Sequence, residues 1–170
     1  MRATAHHLHR DPQAARLALN ARDRDERRER DNRRRRQLHL HLVGRVLMAG
    51  VFLFSAVAKL LAFDATARAM AATGLHDVEL LLGLAIGLEL VGGAALAAGY
   101  KVRAVAVGLI AYVATVTLLM HGDFAVAANR SFALANVAFV GGLMLLISHG
   151  AGELSADAGL ARRDARRYGL

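Results

Sequence analysis

Residues 83–99, GLAIGLELVGGAALAAG, are apolar and rich in small side chains apart from one acid, Glu89. A carboxylate in such a run needs a cation, a hydrogen-bond donor or a proton, because the bare charge is costly in hydrocarbon. Arg45, Lys59 and Glu79 are the other candidates among the charged residues in or at the edge of apolar runs. Glu79 opens its run, where a carboxylate suits the positive end of a helix dipole. Arg45 and Lys59 stand near opposite ends of an earlier run, and their long stems let them snorkel toward water. Glu89 lies ten residues past Glu79, or about 15 Å along a helix axis. If the two runs pair antiparallel with Glu79 level with Leu60, Glu89 is level with Gly50. Arg45 then lies about five residues to one side and Lys59 about nine to the other, so the spacing favours a Glu89–Arg45 pair. The alternative is a protonated Glu89 that donates a hydrogen bond or relays a proton.

Further polar residues recur at helical spacing. Ser55 and Lys59 stand one turn apart, as do Thr117 and His121, and Asn136 sits inside the last apolar run. Ser55, Lys59, His121 and Asn136 can line one half of a helix bundle and leave a polar cavity open to one side. With Glu89 and Arg45 they are the candidate ligand site. The same groups can equally be hydrogen-bonding glue between helices. No metal motif is present. His39 and His41 are two apart and point to different helix faces, and His121 and His149 are expected on opposite sides of the membrane. There is no phosphate loop and no nucleophile elbow.

The elements that must position these residues are four apolar runs, at about 38–63, 78–99, 102–120 and 131–148. Each has about the length a helix needs to cross a hydrocarbon core of about 30 Å. The expected fold is all-α: a four-helix transmembrane bundle at 37–157, a charged arm at 1–36 and a basic tail at 158–170. The first run is too long, and follows too much charge, to be a signal peptide. FDATARAMAATGL, between the first two spans, places Asp64 to cap a short interfacial helix at about 65–73 and Gly74 to end it. Small residues mark close packing: Gly83 with Gly87, Gly92 with Gly93 on the face of Glu89, and Gly141 with Gly142 in the last span.

Charge is segregated from grease. The chain has 170 residues and a net charge of +8. The first 36 residues hold 12 of the 22 basic residues and are net +6, the tail from Ala158 is net +3, and the body between them is net −1. Basic segments flanking apolar ones point to anchoring at anionic lipid, not to nucleic acid, for which no motif is present. Arg33 to Arg36, Lys101 with Arg103, and the four arginines from Arg162 to Arg167 all fall on one side. The expectation is a bacterial inner-membrane protein with both termini cytoplasmic. The arm reads as disordered, or as a lone helix held by paired charges. A further reading is that it precedes the working start of the chain, nearer Leu38. Cysteine is absent, which removes thiol relays, cysteine-ligated zinc, iron–sulfur clusters and covalent haem. The one proline, Pro12, lies outside the spans, so none is proline-kinked.

Taken in order, GRVLMAGVFLFSAVAKLL, ELLLGLAIGLELVGGAALAAG and NVAFVGGLMLLISHGAGELSAD resemble the DoxX family of small bacterial four-helix membrane proteins. The resemblance spans about 40–157. It rests on Gly44 and Arg45, on Ser55, Lys59 and Leu60, and on Glu89 with Gly92, Gly93 and Gly99. It continues through Arg103, Asn136, Gly141 and Gly142 to Gly152, Leu154, Ser155 and Asp157. Ser55-Ala56 departs from the family's usual Ser-Gly, and Asp64-Ala65 from its Asp-Pro. The resemblance implies a membrane location and, because some members are described as subunits of quinol- or thiosulfate-linked oxidoreductases, a redox-linked assembly. This chain has no redox centre of its own, so that role implies a bound quinone or an oxidoreductase partner subunit. A non-enzymatic structural, assembly or partner-binding bundle is the second reading. A transporter would require a homo-oligomer, since four unbroken spans offer no divided helix.

Overall fold

The computed structural model describes residues 12–121 and 125–169, without the side chains of residues 12–21, 23 and 121. Among the described residues there are six helices and no strand: α1 (Pro12–Leu61), α2 (Phe63–Ala71), α3 (Val78–Ala98), α4 (Val102–His121), α5 (Ala127–His149) and α6 (Ala156–Tyr168). Residues up to His39 form one unit and residues from Leu40 a second.

In the first unit, the described part of the charged arm is helical. Pro12 stands at the first helical position, where its missing N–H costs nothing. Arg30 pairs with Glu26 at 3.4 Å and Arg33 with Glu29 at 3.9 Å, both one turn apart. Residues 1–11 lie outside the described residues.

The second unit contains the bundle. α1, α3, α4 and α5 are each long and apolar enough to cross a membrane. Leucine- and alanine-rich sequence favours helix throughout α3. Its outward side chains are bare: Leu84 is 62% and Val91 71% exposed, as are Phe54 on α1 at 77% and Leu134 on α5 at 71%. Apolar surface on this scale is stable against lipid, not water. Inside, Ala49, Phe52, Leu96, Ala106, Leu109 and Leu143 form one core cluster. Ala56, Ala67, Leu82 and Ile86 form a second near α2.

The glycines divide by position. A Cβ on Gly92 would lie 2.9 Å from Leu109 Cδ2, and one on Gly93 would lie 2.9 Å from Leu53 Cγ. Gly142 has Met48 against it. Gly83, Gly87 and Gly141 have open space beside them, so within the bundle they are not close-packing positions.

Two junctions differ from the sequence expectation. α2 begins at Phe63, so Asp64 lies in its first turn and not at the cap, where Ala62 makes no side-chain bond. The reason is that α1 runs on to Leu61 and leaves a single residue between the helices. Gly74, at φ +84°, lies two residues past the cap Ala72, so the helix ends ahead of the expected position. The tail, which its composition describes only as basic, is the helix α6, capped by Ser155 Oγ accepting from Ala158 N at 3.2 Å.

Candidate functional site

Glu89 is the centre of a four-residue network. Lys59 Nζ donates to Glu89 Oε1 at 2.8 Å and to Oε2 at 2.9 Å. Ser55 Oγ donates to Oε1 at 3.1 Å, and Tyr112 Oη donates to it at 2.7 Å. Lys59 also donates to Ser55 Oγ at 2.6 Å, one helical turn away. Glu89 is 3% exposed. The buried carboxyl group thus meets a bidentate ammonium and two hydroxyls, so its oxygens are supplied with donors and a counter-charge stands beside it.

The expected Glu89–Arg45 pair is therefore corrected to Glu89–Lys59. The helix register explains the difference. Ser55 reaches Glu89, Gly93 faces Ala49 and Leu53, and Gly99 faces Arg45. These contacts set α1 and α3 about five residues, or about 7.5 Å, away from the register that levels Glu79 with Leu60. α2 and the segment after it carry the chain beyond the end of α1 before α3 turns back. Arg45 is left at the level of Gly99, ten residues along α3 from Glu89.

The network forms one wall of a cavity of about 370 Å³. Ser55, Lys59, Glu89, Tyr112 and Asn136 line it together with Thr66 of α2, and Met70, Phe132 and Phe139 give it apolar walls. Of the residues singled out in the sequence, Ser55, Lys59, Glu89 and Asn136 come together here, while Arg45 does not. The side chain of His121 lies outside the described residues. Tyr112 is the addition. Its signal was a single phenol inside an otherwise apolar span, a residue type that carries a polar tip needing a partner when buried. A smaller apolar hollow of about 270 Å³ between α4 and α5 shares Val113 and Asn136 with the cavity.

The cavity's polar hydrogens are nearly all spent. The three protons of Lys59 go to Glu89 and Ser55, and the hydroxyls of Ser55 and Tyr112 go to Glu89. Thr66 Oγ1 donates to Ala62 O at 2.9 Å. Thr117 Oγ1 donates to Val113 O at 2.6 Å, so it must accept from Asn136 Nδ2 at 2.8 Å, and this fixes the orientation of the amide. What these bonds leave is mostly acceptor capacity, on Tyr112 Oη, Thr66 Oγ1 and Asn136 Oδ1.

Arg45 has a different task. It is 1% exposed. Its Nη1 donates to Ala151 O, and its Nη2 donates to Leu154 O at 2.8 Å. His41 Nε2 donates to Gly150 O at 3.1 Å, and the His41 and His149 rings lie 6.3 Å apart. Asp157 Oδ1 accepts from Lys101 N at 2.8 Å, while Asp157 N donates to Gly99 O at 3.1 Å. The residues from Gly150 to Asp157 are thus tied to α1 and to the α3–α4 turn. Gly99, at φ +72°, has no room for a side chain, since its Cβ would lie 2.7 Å from Arg45 Nη1.

Four bilayer-length helices around a buried ion pair and a cavity define a multi-span membrane protein in contact with lipid. The DoxX family model matches residues 40–122. The chain is 31% identical over 116 residues to inner membrane protein YqjF of Escherichia coli (strain K12), covering 68% of this chain and 88% of that protein. The chain belongs to the DoxX family. No solved structure matches it.

Proposed function

We propose that this protein is a membrane component of a redox-linked assembly, and that its cavity holds the ring of a quinone- or quinol-type ligand. The observation that carries this is the cavity itself, with an ion pair and a phenol at one wall and aromatic and methionine side chains around them. Its volume of about 370 Å³ falls in the range of small-molecule sites. The adjoining hollow between α4 and α5 is apolar and suits a hydrocarbon tail. Because the unspent groups are mostly acceptors, the ligand is held through hydroxyls, and the quinol form fits better than the quinone. The chain's residues bind and orient the ring. A partner subunit supplies the redox centre.

The test is titration of the purified protein in nanodiscs with short-chain quinol and quinone analogues. The expected result is saturable binding, tighter for the quinol, and weakened about tenfold by Asn136→Leu. Absence of saturable binding by protein with intact helical spectra overturns the proposal.

A second reading is favoured by one observation. Every proton of Lys59 is used inside the protein, as a helix clamp in a structural or partner-binding bundle would require. In that case Lys59→Met with Glu89→Leu restores most of the stability lost by Lys59→Met alone and disturbs nothing else.

The proposed location is a bacterial inner membrane with both termini cytoplasmic. The basic residues flanking the spans support this, as does the relative's printed name. The chain has no cysteine, so Thr73→Cys and Arg167→Cys can each be labelled by a membrane-impermeant thiol reagent. Intact cells should label the first and not the second.

A further inference from the structure

At the end of the bundle away from the cavity, an open groove of about 520 Å³ lies where α4 begins and α5 ends. Lys101, Arg103 and His149 line it, with the backbone of residues 150–152 and Asp157. Behind it sits the Arg45 guanidinium, which bonds to the carbonyl of Ala151, a lining residue, and lies against Gly99.

The charges here do not balance. Among the described residues Arg45 forms no ion pair, and its buried Nε has no hydrogen-bond partner. The acid that lines the groove is Asp157. That carboxylate is already engaged by Lys101 N at 2.8 Å and Val102 N at 3.4 Å, at the positive end of α4. Lys101 Nζ makes a contact 5.5 Å from the Tyr100 ring centroid. Lys101 and Arg103 thus line the groove with one carboxylate, Asp157, and Arg45 is buried behind Ala151. Further along α6 stand Arg162, Arg163, Arg166 and Arg167, with the acid Asp164 among them. A buried cation without a matched anion is unfavourable unless charge arrives from outside.

We propose that this groove is a binding site for a phosphate group, with Lys101 and Arg103 contacting its oxygens and Arg45 supplying positive field through the floor. The groove lies at the ends of two bilayer-length helices, the level of lipid headgroups. A phosphate there comes from an anionic phospholipid or from a soluble phosphate. Basic pockets at span ends recognise the former.

The full chain is purified and reconstituted with equal parts phosphatidylglycerol and phosphatidylcholine, and lipid retained after detergent extraction is measured by native mass spectrometry. Retention of phosphatidylglycerol over phosphatidylcholine is expected, falling at least tenfold in Lys101→Gln/Arg103→Gln. Arg162→Gln/Arg163→Gln, outside the groove, should keep most of it. In a parallel arm, inorganic phosphate is titrated into delipidated protein. Saturable binding lost in the same double variant, without lipid preference, assigns the site to soluble phosphate. Equal retention of both lipids together with no groove-dependent phosphate binding overturns the proposal. Arg45 is left unaltered because its loss is expected to disturb the fold. Quinol binding is read at the opposite end, so the two proposals stand or fall separately.

Discussion

Among the described residues two charged ones are buried in the bundle, Glu89 at 3% and Arg45 at 1% exposure, and they are stabilised in opposite ways. Glu89 meets a counter-ion on another helix and two hydroxyls, so its surroundings are neutral as a whole. Arg45 meets carbonyl oxygens of one loop. Two carbonyls take one bond each from Nη1 and Nη2, Nε has no partner among the described residues, and the charge is left standing. The first arrangement leaves a neutral polar wall suited to a small uncharged ligand. The second ties a loop to α1 and leaves the groove above it positive. A buried charge thus tells what its site can attract only once its partners are known.

Removing one partner at the neutral end should have the largest effect. Lys59→Met leaves Glu89 buried and uncompensated and should cost about 3–5 kcal/mol, read as lowered stability to thermal unfolding in detergent. Adding Glu89→Leu should recover most of it. If it does not, the pair is not the unit described here. At the other end, Arg45→Met removes two hydrogen bonds from a charged donor and should cost about 3 kcal/mol. Its distinguishing mark is local: faster hydrogen exchange or proteolysis in residues 150–157, with the cavity end unchanged.

Glycine positions sharpen the comparison further. Gly99→Ala places a methyl group against Arg45 at a positive φ and should cost about 2 kcal/mol, with the same loop exposed. The smallest effect belongs to Gly83→Ala, whose Cβ meets open space. It should change stability by no more than about 0.5 kcal/mol. A large loss there would mean that this face packs against another protein.

Much of this was legible in the chain. The span boundaries of α3 and α4 lie within a residue or two of the apolar runs because hydrocarbon length and composition are local properties. Ser55 with Lys59 on one face followed from helical spacing. Asn136 could be placed near them, since a buried amide must find a partner. Tyr112 was passed over because a lone aromatic in an apolar span looks like core until its neighbour is known. The partner of Glu89 is not legible along the chain, because facing direction depends on which neighbours are present.

By itself the sequence determined four membrane-length helices, a carboxylate in the middle of the second and cations near both ends of the first. Composition and periodicity act along one helix at a time. The tertiary structure decided which cation met the carboxylate. A shift of about five residues between antiparallel helices, about 7.5 Å, brings Lys59 to Glu89 and carries Arg45 to the loop at Gly150–Asp157. That shift is set by the interposed α2 and by contacts at Gly93 and Gly99. Neither can be counted along the chain, because both are distances between helices.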